Sequence, residues 1–346
     1  MKVSKAVAVD HLSLQQKAFC MNELYPMKFT PLFREKVWGG QRIGKVLGLD
    51  SGPLENCGEA WILSGVEGAE TLVANGFLAG NDLNELAEVY MGDLLGDDVY
   101  DRFGDAFPLL VKFIDSNDWL SVQVHPDDAL ARRRHHANGK SEMWYVVDAV
   151  PGAELISGFA RQTDRENLLY HLREDSLASI LHKESVAAGD VFFTPAGRIH
   201  AIGPGVLLAE IQQTSDLTYR IYDWNRTDEK GRSRELHTEL ALDALDFQVI
   251  TDAKTAYTLR ENVTASLIRS PQFSTGMLYA TKALRKDYAE LDSFVVLIAV
   301  EGHFHLLTES VKLDVKAGEV VLLPNLVRIA GIIPQPSARI LEVYVS

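Results

Sequence analysis

The stretch Leu120-Ser121-Val122-Gln123-Val124-His125-Pro126-Asp127-Asp128 carries three side chains capable of chemistry at alternate positions. Read as a strand from Leu120 to His125, stopped by Pro126 and an acidic turn, it turns Ser121, Gln123 and His125 to one side and Val122 and Val124 to the other. A polar face of hydroxyl, amide and imidazole backed by an apolar one suits the wall of a site inside a β-barrel. An exposed edge strand would show the same alternation. The Gln123 carbonyl oxygen and a His125 ring nitrogen can both bind a divalent metal.

Other candidates lie on elements of the same kind. Phe107 to Asp115 reads as a buried strand interrupted by Lys112. A lysine there needs a partner or a cavity, because burying it alone is costly, unless it snorkels at a sheet edge. The turn Asn117-Asp118 is expected to join this strand to the Leu120 strand as a hairpin. In the next strand, Lys140 to Val147, the side chains of Lys140, Glu142 and Trp144 share a face. Glu142 lies 17 residues after His125, about the length of a return to a neighbouring strand. The unit Ala188 to His200 runs from a Gly-Asp turn through an apolar strand to Pro195-Ala196-Gly197, whose bend aims His200 inward. After it, Glu210 and Gln212 share one strand face, and Thr218, Arg220 and Tyr222 share another.

Several elements must position these residues. Trp38-Gly39-Gly40 makes a tight bend with a large ring, and Cys57 to Ser64 is a short strand with Glu59 near its start. Leu83, Leu86, Ala87, Tyr90, Met91 and Leu94 recur at helical spacing, which predicts a packing helix over 81–103. Two short helical patterns occupy 163–183, the first capped by Thr163 or Asp164 and the second by Asp175 or Ser176. Ala129 to His136 reads as a short basic helix or turn, with His135 and His136 facing solvent. Ala317 to Asn325 echoes Ala188 to Pro195, an internal repeat that argues for two similar β-barrels. The second copy has Arg328 near the place of Arg198 and His200. His303 and His305 share a strand face with no carboxylate at a useful spacing, and read as structural or exposed. Residues 1–24 read as a mildly amphipathic extension.

The 346 residues are enough for two domains. With 48 acidic against 34 basic residues, the net charge of −14 argues against binding nucleic acid or an acidic membrane. An anionic substrate must therefore be held by a local cluster of Lys and Arg. Cys20 and Cys57 make neither a disulfide framework nor a cysteine metal site, and fit a reducing compartment. No apolar run is long enough to span a bilayer, and the first residues lack a signal-peptide core, so the expected location is the cytoplasm.

Assembled, these residues resemble the class I mannose-6-phosphate isomerases of the shorter bacterial kind, from about Tyr25 to the C-terminus. The resemblance rests on seven pieces in order: Trp38-Gly39-Gly40; Gly58-Glu59-Ala60-Trp61; Phe107 to Lys112; Leu120 to Asp128; Lys140 to Tyr145; Pro195 to His200; and Asp216 to Arg220. It implies a mainly β fold of two cupin barrels, double-stranded β-helices, with a few peripheral helices. Residues 25–240 would form the catalytic domain and 241–346 a cupin-like domain without the metal ligands. It implies one zinc per chain on Gln123, His125, Glu142 and His200, although these donors also accept other divalent metals. The implied reaction interconverts mannose 6-phosphate and fructose 6-phosphate through a cis-enediol.

For the proton-transfer base Glu210 comes first, ten residues before Arg220 as in the family, with Asp216 and Lys140 as rivals. Arg220, Lys112, Lys140 and Ser121 are candidates for the phosphate, and Trp38 and Glu59 for the sugar end, Trp38 also reading as plain core. The implied partner is a small sugar phosphate, with no nucleic acid and no membrane, and the chain is expected as monomer or homodimer. Longer members often carry a His before the motif lysine, considered for ring opening; here that position is Gly139. The competing readings are an isomerase of a related sugar phosphate, an iron cupin oxygenase, which prefers more histidines, and a non-catalytic sugar-binding or regulatory cupin.

Overall fold

The computed structural model describes residues 24–227 and 230–345. The expected extension over 1–24 lies outside the described residues except for Leu24. In chain order the strands begin with β1 (Met27–Lys28), β2 (Leu32–Gly40), β3 (Cys57–Ser64), β4 (Leu109–Ser116), β5 (Val122–Val124) and β6 (Glu142–Ala149). They continue with β7 (Glu154–Phe159), β8 (Leu181–Ser185), β9 (Val191–Thr194), β10 (His200–Ile202), β11 (Val206–Gln213) and β12 (Tyr219–Tyr222). The last are β13 (Ala265–Arg269), β14 (Ser274–Ala280), β15 (Leu284–Asp287), β16 (Val295–Leu307), β17 (Lys312–Lys316), β18 (Val320–Leu323) and β19 (Ile329–Tyr344). Six α-helices are described: α1 (Arg42–Leu47), α2 (Leu83–Leu95), α3 (Asp97–Phe103), α4 (Asp128–His135), α5 (Arg165–Arg173) and α6 (Thr238–Ala244).

The fold is mainly β, in three antiparallel sheets. A six-stranded sheet runs β2-β3-β4-β11-β6-β9 and a five-stranded sheet runs β12-β5-β10-β7-β8. The third runs β1-β18-β16-β19-β14-β13, with β15 on β19 and β17 on β16. Strand alternation sorts the six-stranded sheet into two buried faces. Leu109, Val111, Phe113, Met143, Tyr145, Leu207, Ala209 and Ile211 pack with Met277, Val296, Ile298, Leu341 and Val343 of the third sheet. The intervening residues Ile114, Trp144, Val146, Val206 and Leu208 pack against Leu155 and Ile202 of the five-stranded sheet. The far side of that five-stranded sheet, with Val122, Val124, Ile199 and Tyr219, is covered by Leu168 of α5 and Leu242 of α6. The polar candidates lie between the five- and six-stranded sheets.

The repeated sequence units start on matching turns. Gly189 and Gly318 stand at φ +92° and +86° ahead of β9 and β18, a conformation that favours glycine.

Five expectations are corrected. β4 and β5 are not a hairpin: β4 pairs with β3 and β11, and β5 with β10 and β12. The Leu120 N–H donates to Ile202 O, so the chain crosses to the other sheet after the Asn117-Asp118 turn. For the same reason β6 is not a neighbour of β5. The helix over 81–103 is kinked at Met91, whose φ is +46°, and parted again at Gly96. A Cβ on Gly96 would lie 2.3 Å from Asp292 O, and the Asp292 carboxylate accepts from the N–H groups of Asp97 and Asp98 at 3.0 and 2.9 Å. A docked aspartate thus caps the second helix. Tyr222 leaves the face of Arg220, because the ladder shifts between them and the Tyr222 hydroxyl donates to Asp175 at 2.7 Å. Finally, His303 and His305 do have a carboxylate: Asp314 stands across from His305 on β17.

Candidate active site

The ladder registers build the site in two rows. On the six-stranded sheet, Glu210 of β11 stands between Lys112 of β4 and Trp144 of β6, and Gln212 stands beside Glu142. On the five-stranded sheet, Gln123 of β5 stands between His200 of β10 and Arg220 of β12. Because side chains at i and i+2 share a face, each strand delivers its polar pair to the space between the sheets. The Pro195-Ala196-Gly197 turn is tied to the first motif by the Gly197 N–H, which donates to His125 O at 2.9 Å.

At the buried end, His125 Nε2 lies 3.5 Å from Glu142 Oε2, and His200 Nε2 lies 3.4 Å from Glu142 Oε1. The side chains of all three are within 1% of full burial. His125 Nδ1 meets Leu217 O at 2.7 Å and His200 Nδ1 meets Arg198 O at 2.9 Å. A carbonyl only accepts, so each Nδ1 carries the proton and each Nε2 presents a lone pair. The Gln123 amide nitrogen is 3.2 Å from His200 Nε2, while Ser121 Oγ donates to Gln123 Oε1 at 3.4 Å. His125 Nε2 and both Glu142 oxygens are buried with no hydrogen-bond partner. Such a set of orphaned acceptors is suited to a cation, and the three residues form a group that can hold a metal ion.

Burial and neighbouring charges set the protonation of these donors. Burial pushes the His125 imidazolium well below its usual range, helped by Lys140 and His200, and pushes His200 down to about 4. Both rings are neutral near pH 7. Burial and the nearby Glu210 raise Glu142 to about 7, against the pull of Lys140. Burial also opposes the charge on Lys140, but Glu142, Glu210 and Asp216 outweigh it and raise its pKa. For Glu210 burial is outweighed by Lys140 and Lys112, which hold its carboxyl below the usual range.

Above this end opens a cleft of about 310 Å³, at the small end of ligand pockets, which run about 300–1,000 Å³. Trp38, Glu59, Lys112, Ser121, Gln123, Lys140, Glu210, Asp216 and Arg220 all line it. Of the twelve residues singled out from sequence, the other three are His125, Glu142 and His200, reached through Gln123 and through Lys140, whose Nζ is 3.2 Å from Glu142 Oε2. Lys112 Nζ lies 3.4 Å from Glu210 Oε1 and over the Trp61 ring at 4.7 Å. Trp144 Nε1 donates to Glu210 Oε2 at 3.1 Å. Glu59 accepts from Trp61 Nε1 at 2.8 Å and pairs with Lys36 at 3.2 Å. Arg220 Nη1 donates to Glu235 O at 2.9 Å, leaving Nε buried and unpartnered.

Sequence reasoning missed Lys36, Thr218 and Arg234 as cleft residues. Lys36 sits two positions before Trp38 on the same strand face and was within reach of the alternation argument. Arg234 comes from a loop with no periodic signal and is held by Asp223, which accepts from its Nε at 2.7 Å. Gly139 packs against the main chain: a Cβ there would stand 2.5 Å from Asp128 N and 2.6 Å from Asp127 C.

Comparison with known proteins agrees with this geometry. Residues 27–148 match the family model for the phosphomannose isomerase type I catalytic domain. A mannose-6-phosphate isomerase of Streptococcus mutans is 36% identical over 304 residues, 88% of this chain and 93% of the relative. The Bacillus subtilis mannose-6-phosphate isomerase ManA is 33% identical over 307 residues, 86% of this chain and 93% of the relative. The crystal structure of the mannose 6-phosphate isomerase from Bacillus subtilis superposes with a TM-score of 0.83 at 30% identity, covering 93% of this chain and 100% of that one. A phosphomannose isomerase structure from Salmonella typhimurium has a TM-score of 0.75 at 15% identity, covering 93% of this chain and 100% of that one, a likeness of fold.

Proposed function

The chain belongs to the type I phosphomannose isomerases, and from that membership we propose how its cleft interconverts mannose 6-phosphate and fructose 6-phosphate. The observation that carries the reading is the set of buried polar atoms without a hydrogen-bond partner: His125 Nε2, both Glu142 oxygens and Glu210 Oε1. His125, Glu142 and His200 would hold one divalent ion, with Gln123 as fourth ligand once its amide turns its oxygen inward. Nitrogen and oxygen donors with one neutral amide suit a catalytic zinc, and manganese or cobalt accept the same set. When bound, the ion supplies Lewis acidity to the sugar's C1 and C2 oxygens.

The chain's own residues carry the proton. Glu210 is ionised, anchored through Oε2 by Trp144, and has Oε1 free of hydrogen bonds at the cleft wall. We assign it the base: it takes the proton from C2 of the aldose and returns it to C1 of the cis-enediol, giving the ketose. Lys140 and Asp216 are assigned to the hydroxyl protons. Lys112 and Lys140 keep Glu210 ionised and pull against the burial that raises Glu142, besides any contact with the substrate. Arg220, with Arg234 beside it, takes the phosphate, since a guanidinium with a free Nε can bind it bidentately. Ser121 orients Gln123, and Trp38, Glu59 and Lys36 close the sugar end. Ring opening falls to a group other than residue 139.

In the same reading, residues 25–240 are a catalytic cupin unit. Residues 241–346 are a cupin-like unit without counterparts of Gln123, His125, Glu142 and His200. The enzyme works in the cytoplasm as monomer or homodimer. The test is a coupled assay of mannose 6-phosphate conversion by wild type and Glu210→Gln. Loss of kcat with zinc content and KM retained is expected. Full activity in Glu210→Gln would move the base to Asp216.

A further inference from the structure

A second His–His–carboxylate group stands outside the cleft, on the β16–β17 hairpin. His303 and His305 are two apart on β16, so their side chains share a face. The antiparallel register sets Asp314 of β17 directly across from His305. Asp314 Oδ1 bonds His303 Nε2 and lies 3.0 Å from His305 Nδ1. That His305 nitrogen is buried yet makes no hydrogen bond, and the two rings stand 5.3 Å apart at 82°. The ligand atoms of the three residues all lie within 4.8 Å of one another.

We propose that His303, His305 and Asp314 form a second divalent transition-metal site that clips β16 to β17. Zinc–nitrogen and zinc–oxygen bonds of about 2.0–2.2 Å put tetrahedral donors about 3.3 Å apart. The His305–Asp314 separation is already close to that, and a small opening of the His303–Asp314 contact admits the ion. Two imidazoles and one carboxylate select zinc, nickel or copper over magnesium or calcium. The side chains are 32%, 26% and 49% exposed, so water completes the coordination. The nearest opposing charge is Lys316, opposite His303 in register; it is exposed to solvent, which screens its repulsion of a cation. An open, water-completed site of this kind at the surface binds more weakly than a buried one and acts structurally.

The test compares zinc stoichiometry by equilibrium dialysis and metal analysis in wild type and a His303→Ala/His305→Ala double variant. The variant binds one ion fewer per chain, whether or not the cleft also binds one, so the result is independent of the isomerase assignment. Because the replaced side chains are partly exposed and line no part of the cleft, isomerase activity stays at the wild-type level. Asp314→Asn, which keeps the side-chain shape, weakens the same ion at least tenfold. Equal stoichiometry in wild type and double variant overturns the proposal, as does unchanged affinity in Asp314→Asn.

Discussion

Lys112 and Glu210 stand directly opposite each other on neighbouring antiparallel strands, with Nζ 3.4 Å from Oε1 and both side chains at most 5% exposed. The pair sits on the cleft wall, so the ammonium that makes burial of the carboxylate tolerable also sets its protonation. Removing it breaks a buried pair and leaves Lys140 as the remaining cation acting on Glu210, a loss that typically costs up to about 3–5 kcal/mol. Lys112→Met is therefore expected to lower stability in urea unfolding by about that amount. It should also move the acid limb of the kcat/KM profile to higher pH, because Glu210 loses a group that holds its pKa down. An unshifted acid limb would mean that Glu210 is not the group seen in catalysis.

Glu210→Gln keeps the shape and the Trp144 hydrogen bond while removing the base. General-base catalysis contributes about 10²–10⁴-fold, so kcat should fall within that range with KM nearly unchanged. Asp216→Asn should cost less. The coupled assay on both variants ranks the two carboxylates.

Metal affinity should fall as pH is lowered through neutrality. Glu142 must be ionised to bind a cation, and in the metal-free site burial and Glu210 raise its pKa to about 7. The sign follows from competition: below that pH a proton occupies the carboxylate, and each further unit costs about tenfold in affinity. Both histidines, pushed down by burial, stay neutral over this range. Zinc titrations between pH 6 and 8 check it; a flat affinity would remove Glu142 from the ligand set.

At position 139 any side chain meets backbone rather than space. Gly139→Ala should destabilise the chain by about 1–3 kcal/mol, the usual cost of overpacking, and Gly139→His at least as much, without faster turnover. Thermal unfolding with kcat for each variant measures both. An active, stable Gly139→His would show that the turn after Pro126 can move.

Arg220→Ala should raise KM for mannose 6-phosphate at least tenfold and leave zinc content intact, since Arg220 stands beside Gln123 in register without touching the His–Glu–His group. An unchanged KM would place the phosphate elsewhere in the cleft.

Much of the site was legible in the chain because strand alternation is a local rule. The period of two puts Gln123 with Ser121 and His125, Glu142 with Lys140 and Trp144, and Glu210 with Gln212 on shared faces, while the roles of Glu142 and Glu210 rest on the family resemblance. Pairing between distant strands was not legible. The Asn117-Asp118 turn looks locally like a hairpin turn, but the strand pairings and the Leu120–Ile202 hydrogen bond show the chain crossing between sheets. Helical spacing likewise ran on through Gly96, where the break is set by Asp292, far away in sequence. Arg234 and Asp314 escaped for the same reason: one comes from an aperiodic loop and the other reaches His305 across a hairpin.

The most direct measurement is conversion of mannose 6-phosphate to fructose 6-phosphate by the wild-type protein as purified, after chelation, and after zinc is returned, with His200→Ala in parallel. Activity is expected to disappear with chelator and return with zinc, and the His200→Ala protein is expected to stay inactive at the same zinc concentration. Turnover that survives complete removal of metal, or that His200→Ala retains, would contradict this expectation.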